Sequence, residues 1–299
     1  MKSYFLAFCL ALCWGTPFLF SKNIVEVLPP YWSTFLIVLA GLLFFMVFFG
    51  VQKCKLTCPL KELWRPWTIG FLLILLPFTA RSWGLQYTDP TIGGIFNGSA
   101  PIWAFAAGAV LLKGEDRFTW RRAGGVVLGL VGLLVIMLPQ LRGAHTSALG
   151  KMAVLGYGSL LVMAISYGLG NVFTKKIMVD SNAISWQANT FQQYLFAAVV
   201  LGILSLTTET APALAVFDTK MILSILFAGA FSSAVAFLLM VALIRRWGAT
   251  RMSSVTYFTP VVAMTTDMLF RARMPQAEEL AGLGIIFLSL WLIQKKVSD

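Results

Sequence analysis

Asp267 stands in the stretch VVAMTTDMLFRAR, which begins at Val261 and is otherwise apolar or small until Arg271 and Arg273. A charged side chain at the centre of a bilayer helix costs about 2.5–3.5 kcal/mol, and it is kept where it meets protein or water. Asp267 lies about one turn from the end of its apolar run, where that cost is smaller. Arg81 lies in a similar place in another run. Three chemistries fit these two groups. They could form a structural ion pair, or hold the ammonium and carboxylate of a zwitterionic solute. Asp267 could instead couple to protons, since protonation relieves the cost of its burial. The first apolar run contains no carboxylate, so coupling through a first-helix acid is not supported.

Other polar side chains recur at helical spacing. Tyr167, Asn171 and Thr174 fall on one helical face. Asn97 and Ser99 flank Pro101, with Trp103 within a turn, and Thr256, Tyr257 and Thr259 precede Pro260. Trp14 and Thr16 lie in the first run. Aromatic groups with a few donors make a pocket for a small solute, and each of these side chains also has a plain use as an interhelical hydrogen bond. Gln187, Asn189, Gln192 and Gln193 make the seventh run unusually polar, with no chemistry assigned to them. No metal site is expected. Cys54 and Cys58 have no nearby histidine, His145 sits in a different loop, and Cys9 and Cys13 read as packing residues. No cofactor is implied. The absence of a GxxxxGKS motif argues against an ATPase.

The elements that must position these groups follow from composition. The 299 residues are 59% hydrophobic and only 12% charged, about half the charged share of a soluble domain. Mean hydropathy is +0.82. The expectation is an all-α integral membrane protein with the lipid bilayer as its solvent. A crossing needs about 20 helical residues, and the chain offers ten such runs: 3–21, 31–49, 67–85, 91–112, 121–139, 151–173, 184–207, 219–243, 250–270 and 279–294. The net charge of +11 does not indicate nucleic acid, because the basic residues recur in short clusters between apolar runs instead of forming a patch. With the N-terminus in the cytoplasm, 16 of the 23 Lys and Arg residues fall on the inner side. This predicts a multi-pass protein of the cytoplasmic (inner) membrane with both termini inside. The first run resembles a signal peptide but continues through Trp14, Pro17 and Phe20 without a clear cleavage site, and is read as a retained helix.

Five crossings per repeat would place a second copy upside down, and the chain shows traces of one. Gly15, Phe20, Lys22 and Ile24 match Gly168, Phe173, Lys175 and Ile177 at a shift of 153. Thr91, Pro101, Ala104 and Gly125 match Thr250, Pro260, Ala263 and Gly284 at a shift of 159. The prolines matter most. A mid-helix proline cannot donate to the carbonyl four residues back, here those of Asn97 and Thr256. Paired helix breaks in inverted halves are where transporters place substrate sites. The expected domains are therefore repeats at 1–140 and 150–296, with Pro101 and Pro260 lining a cavity. Gly125, Gly129 and Gly132 read as close packing, within one chain or between copies in a homo-oligomer.

WGTPFLFSK at the first run, residues 84–132 and residues 242–270 together resemble the drug/metabolite transporter superfamily, in particular its EamA-type members. The resemblance covers nearly the whole chain. It implies ten helices as two inverted five-helix repeats around a central cavity, with helices 1, 3, 4, 6, 8 and 9 around that cavity and helices 5 and 10 as scaffold. It also implies transport of a small metabolite, often outward: efflux of amino acids, nucleobases, sugars or nucleotide-linked metabolites. The first half keeps the Gly114-Glu115 pair after Pro101, whereas the second has Arg273 and Met274 at that place. A mouth made basic by Arg271 and Arg273 would favour an anionic solute, unless both pair with Glu278 and Glu279. The reading is a secondary transporter working by alternating access, with an amino acid or related compound as leading solute. A nucleotide-type metabolite or nucleobase is the second choice among solutes. A membrane-embedded enzyme or a helical channel or scaffold is the alternative class.

Overall fold

The computed structural model describes residues 2–111, 120–144, 148–178, 184–247 and 254–294. Gly114, Glu115 and His145 lie outside the described residues, as does the side chain of Tyr257. The protein is all-α among the described residues, and six helical stretches are long and apolar enough to cross a membrane: Ser3–Val25, Pro30–Val51, Leu60–Leu85, Gly150–Thr174, Trp186–Thr208 and Thr219–Met240.

Helix starts follow local chemistry. Proline occupies the first turn of α2 (Pro17–Val25), α3 (Pro30–Val51), α5 (Leu76–Leu85) and α6 (Pro90–Gly98), where its missing N–H costs nothing. Ser185 caps α10 (Trp186–Thr208) by accepting from Ala188 N at 3.2 Å, and Asp218 caps α11 (Thr219–Leu226) by accepting from Met221 N at 2.7 Å. The start of α3 borrows its cap from a distant residue: Glu209 accepts from the backbone N–H groups of Tyr31 and Trp32 at 3.0 and 2.9 Å.

Several helices are interrupted, and two of the interruptions, a restart at a proline and a π stretch, recur later in the chain. α1 (Lys2–Gly15) gives way to α2 at Thr16, whose hydroxyl turns back to Leu12 O at 2.7 Å. α6 ends at Gly98, and α7 (Ala100–Leu111) restarts at Ala100 with Pro101 second. A 3-10 turn, Ser254–Phe258, precedes α13 (Thr259–Arg271), which restarts at Thr259 with Pro260 second. Ala100 and Thr259 are separated by the same shift that aligns the prolines. Between α4 (Trp64–Gly70) and α5 the winding loosens to a π-helix at Phe71–Leu75, and another π stretch, Phe227–Val235, separates α11 from α12 (Ala236–Trp247). Such bulges recur at functional positions.

The prolines were expected to open a cavity. In the structure Pro260 is buried and fills the place a side chain would take at Gly98: a Cβ there would lie 2.5 Å from Pro260 Cγ. At Gly94 a Cβ would lie 2.3 Å from Ala263 Cβ. The break is therefore packed shut on this face, because two glycines let α6 and α13 close on one another.

α8 (Trp120–Ala144) and α14 (Ala277–Gln294) pack along each other on the same principle. The places a Cβ would take at Gly125 and Gly132 lie 3.1 Å from Ser289 O and 3.0 Å from Gly282 O, and Ser289 donates to Gly125 O at 2.6 Å. The glycine face of the fifth run is therefore used within this chain. Two large apolar clusters fill the interior: one includes Phe18, Leu85, Phe96, Ile102 and Met163, the other Ile37, Phe45, Phe49, Phe78 and Tyr194. Tyr167, on α9 (Ala148–Met178), packs against both.

Candidate functional site

Asp267 is wholly buried, and its carboxylate meets the start of α6. Asp89 holds the N-cap position of that helix but makes no side-chain cap bond. Asp267 Oδ2 takes the place instead, accepting from Thr91 Oγ1 at 2.7 Å and Thr91 N at 3.3 Å. A carboxylate here faces the positive end of the helix dipole. Arg271 Nε stands 3.7 Å from Asp267 Oδ1, and Arg273 Nη1 stands 3.8 Å from Oδ2.

Both arginines reach further. Arg271 grips Glu26 through Nη2 to Oε1 at 2.7 Å and Nη1 to Oε2 at 3.3 Å. Arg273 Nε pairs with Asp89 Oδ2 at 2.7 Å, and its Nη1 and Nη2 donate to Glu279. Gln276 N also donates to Glu279, at 3.1 Å. The chain reverses between the two arginines at Ala272, whose φ of 53° is left-handed. That turn lets arginines two residues apart serve opposite sides of one carboxylate. Lys22 Nζ adds a 2.7 Å bond to Leu85 O at the C-terminal end of α5, and it lies 3.9 Å from Glu26. A positive charge is favoured at that helix end.

The result is a network of alternating sign that joins α2, the α5–α6 connection and α6 from the first half to α13 and α14 from the second. Arg273 was expected to pair with Glu279 and does. Among the described residues Glu278 pairs with neither arginine, and Glu26 and Asp89 do instead. The mouth is balanced by four carboxylates, so it is not simply basic. Beside it, a cleft of about 590 Å³ is lined by Phe20, Asn23, Glu26, Lys220, Phe270 and Arg271, among others.

Arg271 holds the Glu26 carboxyl below its ordinary range by hydrogen bonding. A lowered carboxyl value contributes stability above the ordinary carboxylate pKa, and loses it as pH falls through the lower, folded value. Glu26→Gln should therefore be slightly less stable than wild type at pH 7, by roughly 0.2–1 kcal/mol for a partly exposed pair. The difference should vanish in melting curves taken well below about pH 4.5.

An Arg81–Asp267 ion pair is not what the fold makes. Asp267 is occupied by Thr91, Arg271 and Arg273, which come close in the folded chain. Arg81 sits elsewhere, 4% exposed, with its guanidinium carbon 4.5 Å from the Phe78 ring centre. Its Nε and Nη2 are enclosed and have no hydrogen-bond partner among the described residues. Phe78 belongs to the apolar cluster that also holds Tyr194 and packs against Tyr167.

The remaining expected residues divide. Tyr167 is central, but Asn171 is exposed, and Thr174 donates to its own helix at Gly170 O, 2.7 Å away. Their shared face does not form one polar wall. Ser99 is buried and donates to Phe96 O at 2.6 Å, sealing the helix break. Asn97 is half-buried beside it. Trp103 packs on the first cluster next to Gly168, with its indole N–H enclosed and without a partner among the described residues. Trp14 packs against the cluster of Leu10, Ala236 and Leu243, and Thr256 is half-buried. Sequence reasoning did not single out Lys22, Glu26, Asp89 or Tyr194 as site residues. The first three are ordinary charges at helix ends, and the only hint was Lys22, placed directly after an apolar run.

With this geometry in view, comparison with known proteins is decisive. The model of the EamA-like transporter family matches residues 1–138 and again 154–294. The chain belongs to the EamA-like transporter family. It is similar to a "Probable amino-acid metabolite efflux pump" of Salmonella typhimurium, at 25% identity over 97% of this chain and 94% of that one. It is also similar to an uncharacterized transporter, YvbV, of Bacillus subtilis, at 28% identity over 97% and 90%. A chloroplastic WAT1-related protein of Arabidopsis thaliana is 26% identical over 94% of this chain, which spans only 66% of that longer protein. One solved crystal structure superposes with a TM-score of 0.65 at 17% identity, covering 98% of each chain, and so shares the fold. The EamA-like chain is thus a multi-pass membrane transporter and not an enzyme.

Proposed function

We propose that this EamA-like transporter carries a small metabolite, an amino acid or related compound, by alternating access, with export as its direction. In this reading ten helices form two inverted five-helix repeats, 1–140 and 150–296, with both termini in the cytoplasm. The end bearing Glu26, Asp267 and Arg273 then faces outside, and the structure is the outward-closed state. The observation that carries the reading is the charged network itself. It fastens the first half to the second at one end, through contacts that can separate without unfolding either half. The matched restarts at Ala100 and Thr259 and the doubled family match support the repeat. The name of the Salmonella relative supports the solute class.

Asp267 acts in this reading as a latch, held by Thr91 and two arginines, and not as the proton site. The test is counterflow in proteoliposomes with labelled amino acids and nucleotide metabolites, for wild type and Asp267→Asn at two pH values. Saturable counterflow of one compound is expected, with the same pH response in both proteins. Loss of pH-driven accumulation with retained exchange in Asp267→Asn would instead make Asp267 the proton-coupling group. An absence of saturable counterflow would favour a channel or scaffold.

A further inference from the structure

Arg81 is a buried cation that the latch does not use. It stands about one turn from the end of its apolar run, yet it is buried, and two of its enclosed nitrogens have no hydrogen-bond partner among the described residues. A buried guanidinium normally has a carboxylate or several carbonyls around it. Among the described residues Arg81 has neither an ion pair nor a hydrogen bond. Phe78 presents a ring face at 4.5 Å. Tyr167, which bridges the two apolar clusters, and Tyr194, from α10, belong to the same packed cluster as Phe78 and come from two other helices. The π-helical stretch Phe71–Leu75 lies just before Phe78 on the same rod. The described carboxylates nearest in function, Asp267, Asp89 and Glu26, are all committed to Arg271 and Arg273.

Resting on the transporter reading, we infer that Arg81 is the anchor of the solute site and receives the solute's carboxylate, with Phe78, Tyr167 and Tyr194 around an apolar or aromatic body. A planar guanidinium presents paired donors matched to a carboxylate. Among the described residues no carboxylate pairs with Arg81, so none is placed beside it for an ammonium group. The recognised solute is therefore an amphipathic monocarboxylate, and an amino acid is recognised through its carboxylate end.

The test uses purified full-length protein in detergent, with phenylacetate and phenylalanine as probes and phenylacetamide as the uncharged control. Both carboxylates should raise the melting temperature of the wild type, phenylacetate at the lower concentration, and the amide should not. Arg81→Gln should weaken the effect about tenfold to a hundredfold, the range expected for hydrogen bonds to a charged group. Arg81→Lys should keep part of it. If Arg81→Gln does not fold, the carboxylate-against-amide comparison on wild type and Arg81→Lys still decides. Equal stabilisation by amide and carboxylate, or no stabilisation by either carboxylate, would overturn the inference. Counterflow separates the two levels. Neutral solutes exchanged with unchanged KM in Arg81→Gln, together with unaltered carboxylate exchange, would refute the anchor and leave the carrier standing. An absence of counterflow for every solute in wild type would refute the carrier itself.

Discussion

Asp267→Ala should destabilise the purified protein by about 2–3 kcal/mol, the largest loss expected from any single side chain in the latch. Removing one member of a fully buried charge pair costs about 3–5 kcal/mol, because the partner charge is left behind. Here the partners Arg271 and Arg273 are 26% and 20% exposed, so water recovers part of that cost. Two losses remain. The start of α6 loses the acceptor for Thr91 N, and Thr91 Oγ1 loses its 2.7 Å bond. Asp267→Asn keeps an acceptor for Thr91 and should cost less. Thr91→Val, which leaves the carboxylate with its arginines, should cost about 1 kcal/mol. The check is the order of melting temperatures: wild type, then Thr91→Val and Asp267→Asn, then Asp267→Ala. An Asp267→Ala protein as stable as wild type would show that the network is ornamental.

Gly94→Ala should have a comparable effect through packing alone. The new Cβ would lie 2.3 Å from Ala263 Cβ, so α6 and α13 would have to move apart at the point where both are interrupted. Overpacking of this kind costs about 1–3 kcal/mol. The second-site test makes the cause specific. Ala263→Gly in the same chain removes the clashing methyl and should restore most of the loss. Ala263→Gly alone leaves a small void and costs less. A double mutant no better than Gly94→Ala would mean that the two helices are not in contact as described.

These expectations show what was legible beforehand. Helix breaks at Pro101 and Pro260 could be read directly, since a proline removes a donor wherever it falls inside a helix. That the break is filled could not. Gly98 and Gly94 read as small residues anywhere, and only the approach of α13 gives them their purpose. Asp267, Arg271 and Arg273 stood out because they are close in sequence and set in an apolar stretch. Glu26, Asp89 and Lys22 did not, because a charge at a helix end is ordinarily just solvated. Their meeting depends on how the ends of four helices converge. Arg81 was visible as a cation in an apolar run. Asp267 is the comparable anion in an apolar run, and the fold places Arg271 and Arg273 nearer to it than Arg81. The π-helical stretches before Phe78 and around Ser232 had no signal in residue type at all.

The alternating-access account is tested most directly by locking the latch. Glu26→Cys and Arg271→Cys, in a chain whose four native cysteines are replaced by alanine, can be joined by a short bis-methanethiosulfonate linker that a thiol reverses. In proteoliposomes the joined protein should lose counterflow, and reduction should restore it, while either single cysteine treated alike should be unaffected. Full counterflow in the joined protein would contradict the account, because α2 and α13 would then never need to part for a solute to cross.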